Sequence, residues 1–343
     1  MIKIKKGNLL KAETEALVNT VNCVGVMGKG IALQFKMAFP ENFKTYKKAC
    51  DAGELLPGKL HIYETASFIN PKYIINFPTK RHWKGKSDIN TIVLGLKNLR
   101  EDILRLKIKS IAIPPLGCGN GGLNWNEIQP LIKSFLGDLE NISIMLFAPL
   151  GAPEASTMPV GSKRPKMTLG RALIIKLMEK YAIPGYKLTL LEIQKLAYFL
   201  QDSGENLRLG YSKSSFGPYA SNLNHVLQRI NGHYINGYGD RSRSTKIYLL
   251  SGASELATKT LSDMTDSLER LEKVHNLIEG FENPYGMELL ATVHWVLKDN
   301  TDGILSNAET VEKVFAWNDR KKKIFNSEHI AIARKRLIDE KWV

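Results

Sequence analysis

Two glycine-rich loops and one lysine-centred run are where this chain could do chemistry. The first loop, NCVGVMGKGIA over 22–32, follows an apolar run and opens a helical one. The second, PLGCGNGGL over 115–123, also follows an apolar run. Glycine lets a backbone adopt positive φ and approach a ligand closely. Successive free N–H groups beside a helix N-terminus form a concavity for an anion. At the C-terminal ends of parallel strands, two such loops would face one crevice, and the ligand they suggest is a diphosphate. Neither loop fits the dinucleotide fingerprint in its context, nor the P-loop pattern. One such loop alone reads better as a tight turn; two in strand-to-loop settings point to binding. The third feature is TKRHWKGK over 79–86. A lysine attacks carbon only when neutral, and burial or neighbouring cations lower its pKa. By spacing alone, Lys80 reads as a surface lysine touching phosphate. Arg81, Lys84 and Lys86 suit backbone phosphates, and Trp83 or His82 suits stacking on a base. A solvated loop with Trp83 packed inward fits the same residues.

These features need elements to hold them. Strands are predicted at 2–4, 16–21, 59–63, 73–77, 110–114 and 142–148, and several of them are near-continuous apolar runs that suit strands covered on both faces. Helices are predicted over 31–38, 43–51, 89–106 and 127–139. The third places Ile92, Leu96, Leu99, Ile103 and Leu106 three or four apart, with Asp88 as its cap. The fold class is therefore α/β, three-layered around a mostly parallel sheet, over 1–152. A Pro/Gly/Ser stretch at 153–166 reads as a linker. The rest, 167–343, reads as mainly helical with a small β element at 246–250. Thr168 is expected to cap one of its helices, and Thr189 with Glu192 forms a capping box before LEIQKLAYFLQ. Further helices are expected over 221–230, 255–261, 267–279, 286–298, 308–317 and 327–337. The Leu/Tyr/Phe stripe of LEIQKLAYFLQ reads as helix core.

Composition bounds the classes. With 343 residues, 43% hydrophobic and 24% charged, the chain is neither disordered nor fibrous. The basic N-terminus runs straight into an alternating pattern and reads as a strand, not a signal peptide. No run reaches the roughly 18 apolar residues of a membrane span. Three cysteines, Cys23, Cys50 and Cys118, lie far apart with no metal-ligand spacing, which fits a reducing cytoplasm. His225, His233, His275 and His294 lack ligand spacing too. The net charge of +14 is shared by both parts and is compatible with a polyanionic partner or with none.

VNTVNCVGVMGKGIALQFK and IPPLGCGNGGLNW resemble the two phosphate-facing loops of macro domains, which bind ADP-ribose. The resemblance covers about residues 1–150. More narrowly, MGKGIALQFK, the Thr79-Lys80 dipeptide and PLGCG…LNW resemble the branch that includes terminal ADP-ribose glycohydrolase and the DarG antitoxins. That resemblance implies that Lys80 attacks the anomeric carbon of the distal ribose. It implies ADP-ribose contacts from Asn8, Asn22, Met27, Gly28, Lys29, Gly30, Ile31, Ala32 and Thr79, and from Leu116, Gly117, Cys118, Gly119, Asn120 and Gly121. Arg81, His82, Trp83 and Lys84 become the candidate contacts to DNA. Two positions depart from the pattern. Gly121 stands where terminal ADP-ribose glycohydrolase carries an aspartate, and Gly7-Asn8 stands where many macro domains have Gly-Asp at the adenine. LEIQKLAYFLQ and FGPYASNLNHVL resemble Panacea-type antitoxin domains. Together the two resemblances imply an antitoxin that removes ADP-ribose from thymidine in single-stranded DNA and binds a DarT-like ADP-ribosyltransferase toxin through 167–343, with no metal, cofactor or membrane involved. The competing expectation is an ADP-ribose-binding module without turnover that sequesters the toxin.

Overall fold

The apolar runs of the first half become the strands of one sheet. In chain order its elements are β1 (Ile2–Lys5), β2 (Ala16–Asn22), α1 (Gly30–Ala38), α2 (Pro40–Asp51), β3 (His61–Glu64), β4 (Tyr73–Lys80), α3 (Ile89–Arg105), β5 (Ser110–Ile113), α4 (Trp125–Leu136) and β6 (Ser143–Phe147). The strand order is β1-β6-β5-β2-β4-β3. All neighbours are parallel except β3, which runs antiparallel to β4. A computed structural model describes residues 1–149, 151, 153–241, 244–300 and 303–343 of the chain.

Side-chain alternation sends β2 to both faces of the sheet. Ala16 and Val18 pack with Ile92, Leu96, Leu99 and Ile103 of α3 and with Ile128 and Ile132 of α4. Leu17 packs with Phe35 of α1, Ile74 and Ala112. Helices therefore cover both faces, as the unbroken apolar runs require. Asp88 caps α3, its carboxylate accepting from the Thr91 N–H at 2.9 Å. Leu99 is fully buried, so Leu99→Ala should lower the stability of this unit by about 2–5 kcal/mol. Denaturant unfolding read through exchange of the β2 and β4 amides checks that figure. Because β2, β4 and β5 are parallel, the loops that follow them leave from one edge of the sheet.

By contacts the chain divides into two units, Met1–Lys163 with Gly239–Arg243, and Arg164–Tyr238 with Ser244–Val343. The stretch read as a linker at 153–166 thus belongs largely to the first unit. Met158 is buried, and the Gly161 N–H donates to the Met37 carbonyl at 2.9 Å. Its prolines and small residues allow only one short 3-10 turn, Ala155–Thr157, and do not prevent packing.

The second unit contains α5 (Leu169–Tyr181), α6 (Leu190–Asp202), β7 (Tyr211–Ser214), β8 (Gly217–Ala220), α7 (Leu223–Ile230), β9 (Ile235–Asn236), β10 (Tyr248–Leu249), α8 (Ala253–Leu261), α9 (Thr265–Ile278), α10 (Pro284–Lys298), α11 (Asn307–Phe315), α12 (Asp319–Ile324) and α13 (Ser327–Asp339). It has its own core, to which Leu196, Tyr198 and Phe199 of α6 contribute. The Thr189–Glu192 capping box is formed. Thr168 makes no side-chain cap to α5, and the strand expected over 246–250 shrinks to the β9–β10 pair. The β7–β8 hairpin arises where the sequence shows only a Gly-Pro-Tyr turn. Lys195 on α6 reaches under that hairpin, donating to the Pro218 carbonyl at 2.6 Å. Burial pushes its ammonium down to about 7. No helix among the described residues is long and apolar enough to cross a membrane.

Candidate functional site

Lys80 is the last residue of β4, opposite Asn22 at the end of β2. Just beyond, the Cys23 N–H donates to the Arg81 carbonyl at 3.0 Å. The two strand ends are therefore held together as they release their loops. Asn22 builds the first loop. Its amide oxygen accepts from the N–H groups of Val24 at 3.0 Å and Val26 at 3.3 Å, and its amide nitrogen donates to the Val26 carbonyl at 2.6 Å. The buried Tyr46 hydroxyl of α2 donates to the Asn22 carbonyl at 2.8 Å. The oxygen and one of the two N–H bonds of the Asn22 amide thus shape the loop. Met27 is buried under that loop with Val21, Tyr46 and Leu55, and Ile31 packs beside Leu17 and Phe35. These two form the floor of the loop. Ala32 packs half-buried beside Met27. Gly28, Lys29 and Gly30 remain at the surface.

The second loop turns at Gly117, whose φ of +71° is the left-handed conformation that favours glycine. It is closed by bonds from the Cys118 N–H to Pro115 O, from Gly122 to Gly119 O and from Leu123 to Gly117 O. Leu116 is buried beneath it. Among the described residues, the N–H groups of Gly28, Lys29, Gly119, Asn120 and Gly121 donate to no protein acceptor. Main-chain N–H groups without a protein partner on two adjoining loops, one of them at the start of α1, are what an anion needs.

The two loops and Lys80 meet. A Cβ on Gly30 would stand 3.0 Å from the Asn120 amide nitrogen. The Lys80 ammonium donates to the carbonyls of Asn120 and Gly85, each at 3.1 Å. Thr79 is buried within the strand beside it. Burial lowers the Lys80 pKa. The neighbouring cations invoked from sequence do not contribute, because Arg81, Lys84 and Lys86 are exposed. Burial also pushes the Cys23 and Cys118 thiols up to about 11. Neither is a thiolate near neutral pH.

Trp83 is 47% exposed rather than packed inward. Its ring lies 5.5 Å from that of His82, with the Lys84 ammonium 5.1 Å from its centroid. Asn8 follows β1, which shares the loop edge of the sheet. Its side-chain oxygen caps a short turn by accepting from the Leu10 N–H at 3.0 Å.

Sequence reasoning missed Ser87. It lies buried between the Lys80 run and the second loop, and its N–H donates to the Gly121 carbonyl at 3.0 Å. Its hydroxyl has no partner among the described residues, and a Cβ on Gly121 would stand 2.3 Å from it. No local pattern marks Ser87, because its role comes from a loop more than thirty residues away.

A family model for the macro domain matches residues 18–132. A DNA ADP-ribosyl glycohydrolase of Thermus aquaticus is 44% identical over 338 residues, which span 98% of this chain and 93% of that protein. A DNA ADP-ribosyl glycohydrolase of Mycobacterium tuberculosis is 40% identical over 357 residues, spanning 98% of this chain and 99% of that one. A DNA ADP-ribosyl transferase–DNA ADP-ribosyl glycohydrolase fusion protein of Thermosipho africanus is 35% identical over 164 residues, 43% of this chain and 42% of the fusion. The first two similarities run through both units.

Proposed function

Since the chain belongs to the DNA ADP-ribosyl glycohydrolase (DarG) family of macro-domain proteins, we propose that its first unit removes ADP-ribose from thymidine in single-stranded DNA, with Lys80 as nucleophile. The observation that carries this reading is the meeting of a partly buried lysine with two loops rich in free N–H groups. The diphosphate lies along the N–H groups of Gly28 and Lys29 at α1 and of Gly119, Asn120 and Gly121, where no protein acceptor among the described residues competes. Lys80 stands where those loops meet, at the distal ribose.

The neutral Lys80 nitrogen adds to the anomeric carbon as the bond from that carbon to the base breaks. The bonding pair leaves with the base, which takes up a proton, and the attacking nitrogen loses one. Water then adds to the same carbon, the bond to Lys80 breaks, and free ADP-ribose and the amine are released. No metal or redox cofactor enters the scheme. The test is release of ADP-ribose from thymidine-modified single-stranded DNA; binding of ADP-ribose without release would favour the module without turnover.

The DNA strand runs past Arg81–Lys84, with Trp83 stacking on a base. Trp83→Ala should weaken binding of modified single strands by about 1–3 kcal/mol while free ADP-ribose binds as before. Fluorescence titrations with both ligands read the difference, and equal loss for both would remove Trp83 from the DNA path.

We assign toxin binding to the second unit, and the fusion of a transferase with a glycohydrolase in one Thermosipho africanus protein supports a DarT-like partner. Full-length chain carrying Lys80→Ala should then still protect cells partly against the toxin, because sequestration needs no turnover. Protection that vanishes with Lys80, at equal protein level, would leave hydrolysis as the sole means of neutralisation.

A further inference from the structure

Helix α1 carries the first loop's anion-facing end, yet nothing local caps it. Its N-cap residue, Lys29, makes no side-chain cap bond, and its first turn has no acidic residue. Helices α3 and α4 on the same unit are capped by their own Asp88 and Asn124. The cap of α1 comes from far along the chain. The Gly30 N–H donates to the main-chain carbonyl of Asp240 at 2.9 Å. One turn on, the Gln34 side-chain amide donates to the Asp240 carboxylate at 2.6 Å. Both side chains are almost wholly buried, Asp240 at 3% and Gln34 at 4% exposure. The short segment Gly239–Arg243 belongs by contacts to the first unit. Gly239 is seated closely there, since a Cβ on it would stand 2.8 Å from that of Ala155.

We propose that Asp240 is a positioning residue for the candidate site, holding α1 so that the N–H groups from Gly28 onward keep their place against the phosphates. This rests on the reading of the site as an ADP-ribose site. The physical case is a two-point clamp. A helix begins with four N–H groups lacking intrahelical partners. Here one is taken by a fixed carbonyl, and an anionic side chain lies along the first turn, where it complements the helix dipole. The clamp grips Gly30 and Gln34 and leaves the N–H groups of Gly28 and Lys29 without a protein acceptor. Without it, the first turn that carries Gly30, Ile31 and Ala32 is free to fray, and binding of the diphosphate then costs the ordering of that turn.

Because the clamp acts on phosphate binding and not on the reacting carbon, its loss should appear in KM and leave kcat nearly unchanged. In the full chain, Asp240→Ala should raise KM for modified DNA and the Kd for free ADP-ribose about tenfold, the size expected from losing one charge-assisted hydrogen bond. Asp240→Asn, which keeps an oxygen to accept from Gln34, should restore most of that loss. Gln34→Ala, which removes the same bond from the helix side, should reproduce the Asp240→Ala split between KM and kcat. Amide exchange at Gly30 and Ile31, measured without ligand, should speed up in Asp240→Ala and Gln34→Ala and stay slow in Asp240→Asn. Wild-type Kd and exchange in Asp240→Ala would overturn the clamp. So would tighter binding in both Asp240 variants, which would make the carboxylate a charge that repels the phosphates. If the wild-type chain binds no ADP-ribose, the ligand-free exchange result still decides the clamp, and the failure belongs to the reading of the site.

Discussion

Lys80→Ala and Lys80→Arg will both release ADP-ribose from modified DNA at least about a thousandfold more slowly than the wild-type chain, the scale of removing a nucleophile. The arginine variant is the sharper of the two. It keeps a cation and hydrogen-bond donors for Asn120 and Gly85, but a guanidinium stays protonated and cannot attack carbon. If Lys80 merely touched phosphate, Lys80→Arg would retain most of the rate; turnover within tenfold of wild type in that variant would remove Lys80 from the covalent step. The pH dependence follows from the environment. Burial lowers the Lys80 pKa below its usual value, so the reactive neutral fraction grows as pH rises. The rate should climb with pH and level off below the range of an exposed lysine. The two carbonyls that hold the ammonium oppose that shift, so a bound substrate that displaces them would lower the plateau pH further. Intact-mass measurement during turnover should find ADP-ribose joined covalently to the wild-type chain and absent from both variants.

What the sequence conveys about this site is uneven, and for physical reasons. The sheet is legible because strands covered on both faces must be apolar throughout, and 16–21 and 73–77 have no polar interruption beyond Asn19, Thr20 and Asn76. Helix α3 is legible from the spacing of Ile92, Leu96, Leu99 and Ile103, and Asp88 from its place just before it. The two glycine loops are legible because each follows such a strand, and parallel strands bring their C-terminal loops to one edge. The finer roles are not local. Asn22 shapes its own loop through the main chain of Val24 and Val26, which no pattern in the sequence announces. The lowered pKa of Lys80 looks like the work of Arg81 and Lys84 in sequence; in the fold those side chains face solvent and burial is the cause. Ser87 and Asp240 carry no motif, because each acts on a loop or helix distant in the chain: Gly121 for Ser87, and Gly30 with Gln34 for Asp240. A Pro/Gly/Ser composition reports the lack of an α-helix or strand at 153–163, and is silent on whether that stretch packs.

Gly121→Ala should cost at least about a hundredfold in turnover, the scale on which a misplacement near 1 Å is felt in an active site. The argument is steric. A Cβ there would stand 2.3 Å from the Ser87 hydroxyl oxygen and 2.4 Å from the Gly117 carbonyl oxygen, both far inside van der Waals contact. Ser87 can rotate its hydroxyl away, but the Gly117 carbonyl is backbone of the same loop and accepts from the Leu123 N–H at 3.0 Å. The loop must therefore open, which moves the Gly121 N–H, the bond from Ser87 N–H to Gly121 O and the Asn120 carbonyl that holds Lys80. Adding Ser87→Gly should recover only part of the rate, because it relieves one of the two clashes. Gly119→Ala in the same loop meets no neighbour within 4 Å and should cost far less. Wild-type turnover in Gly121→Ala would show that the loop adjusts freely and that its shape does not set the reaction. The same geometry bears on the departure from the terminal ADP-ribose glycohydrolase pattern. Gly121→Asp would not install a carboxylate to activate water; it would displace the loop proposed to bind the phosphates, and should be at least as slow as Gly121→Ala. On the proposed Lys80 mechanism, glycine at 121 offers no side chain to activate the water of the second step, so another group must do so.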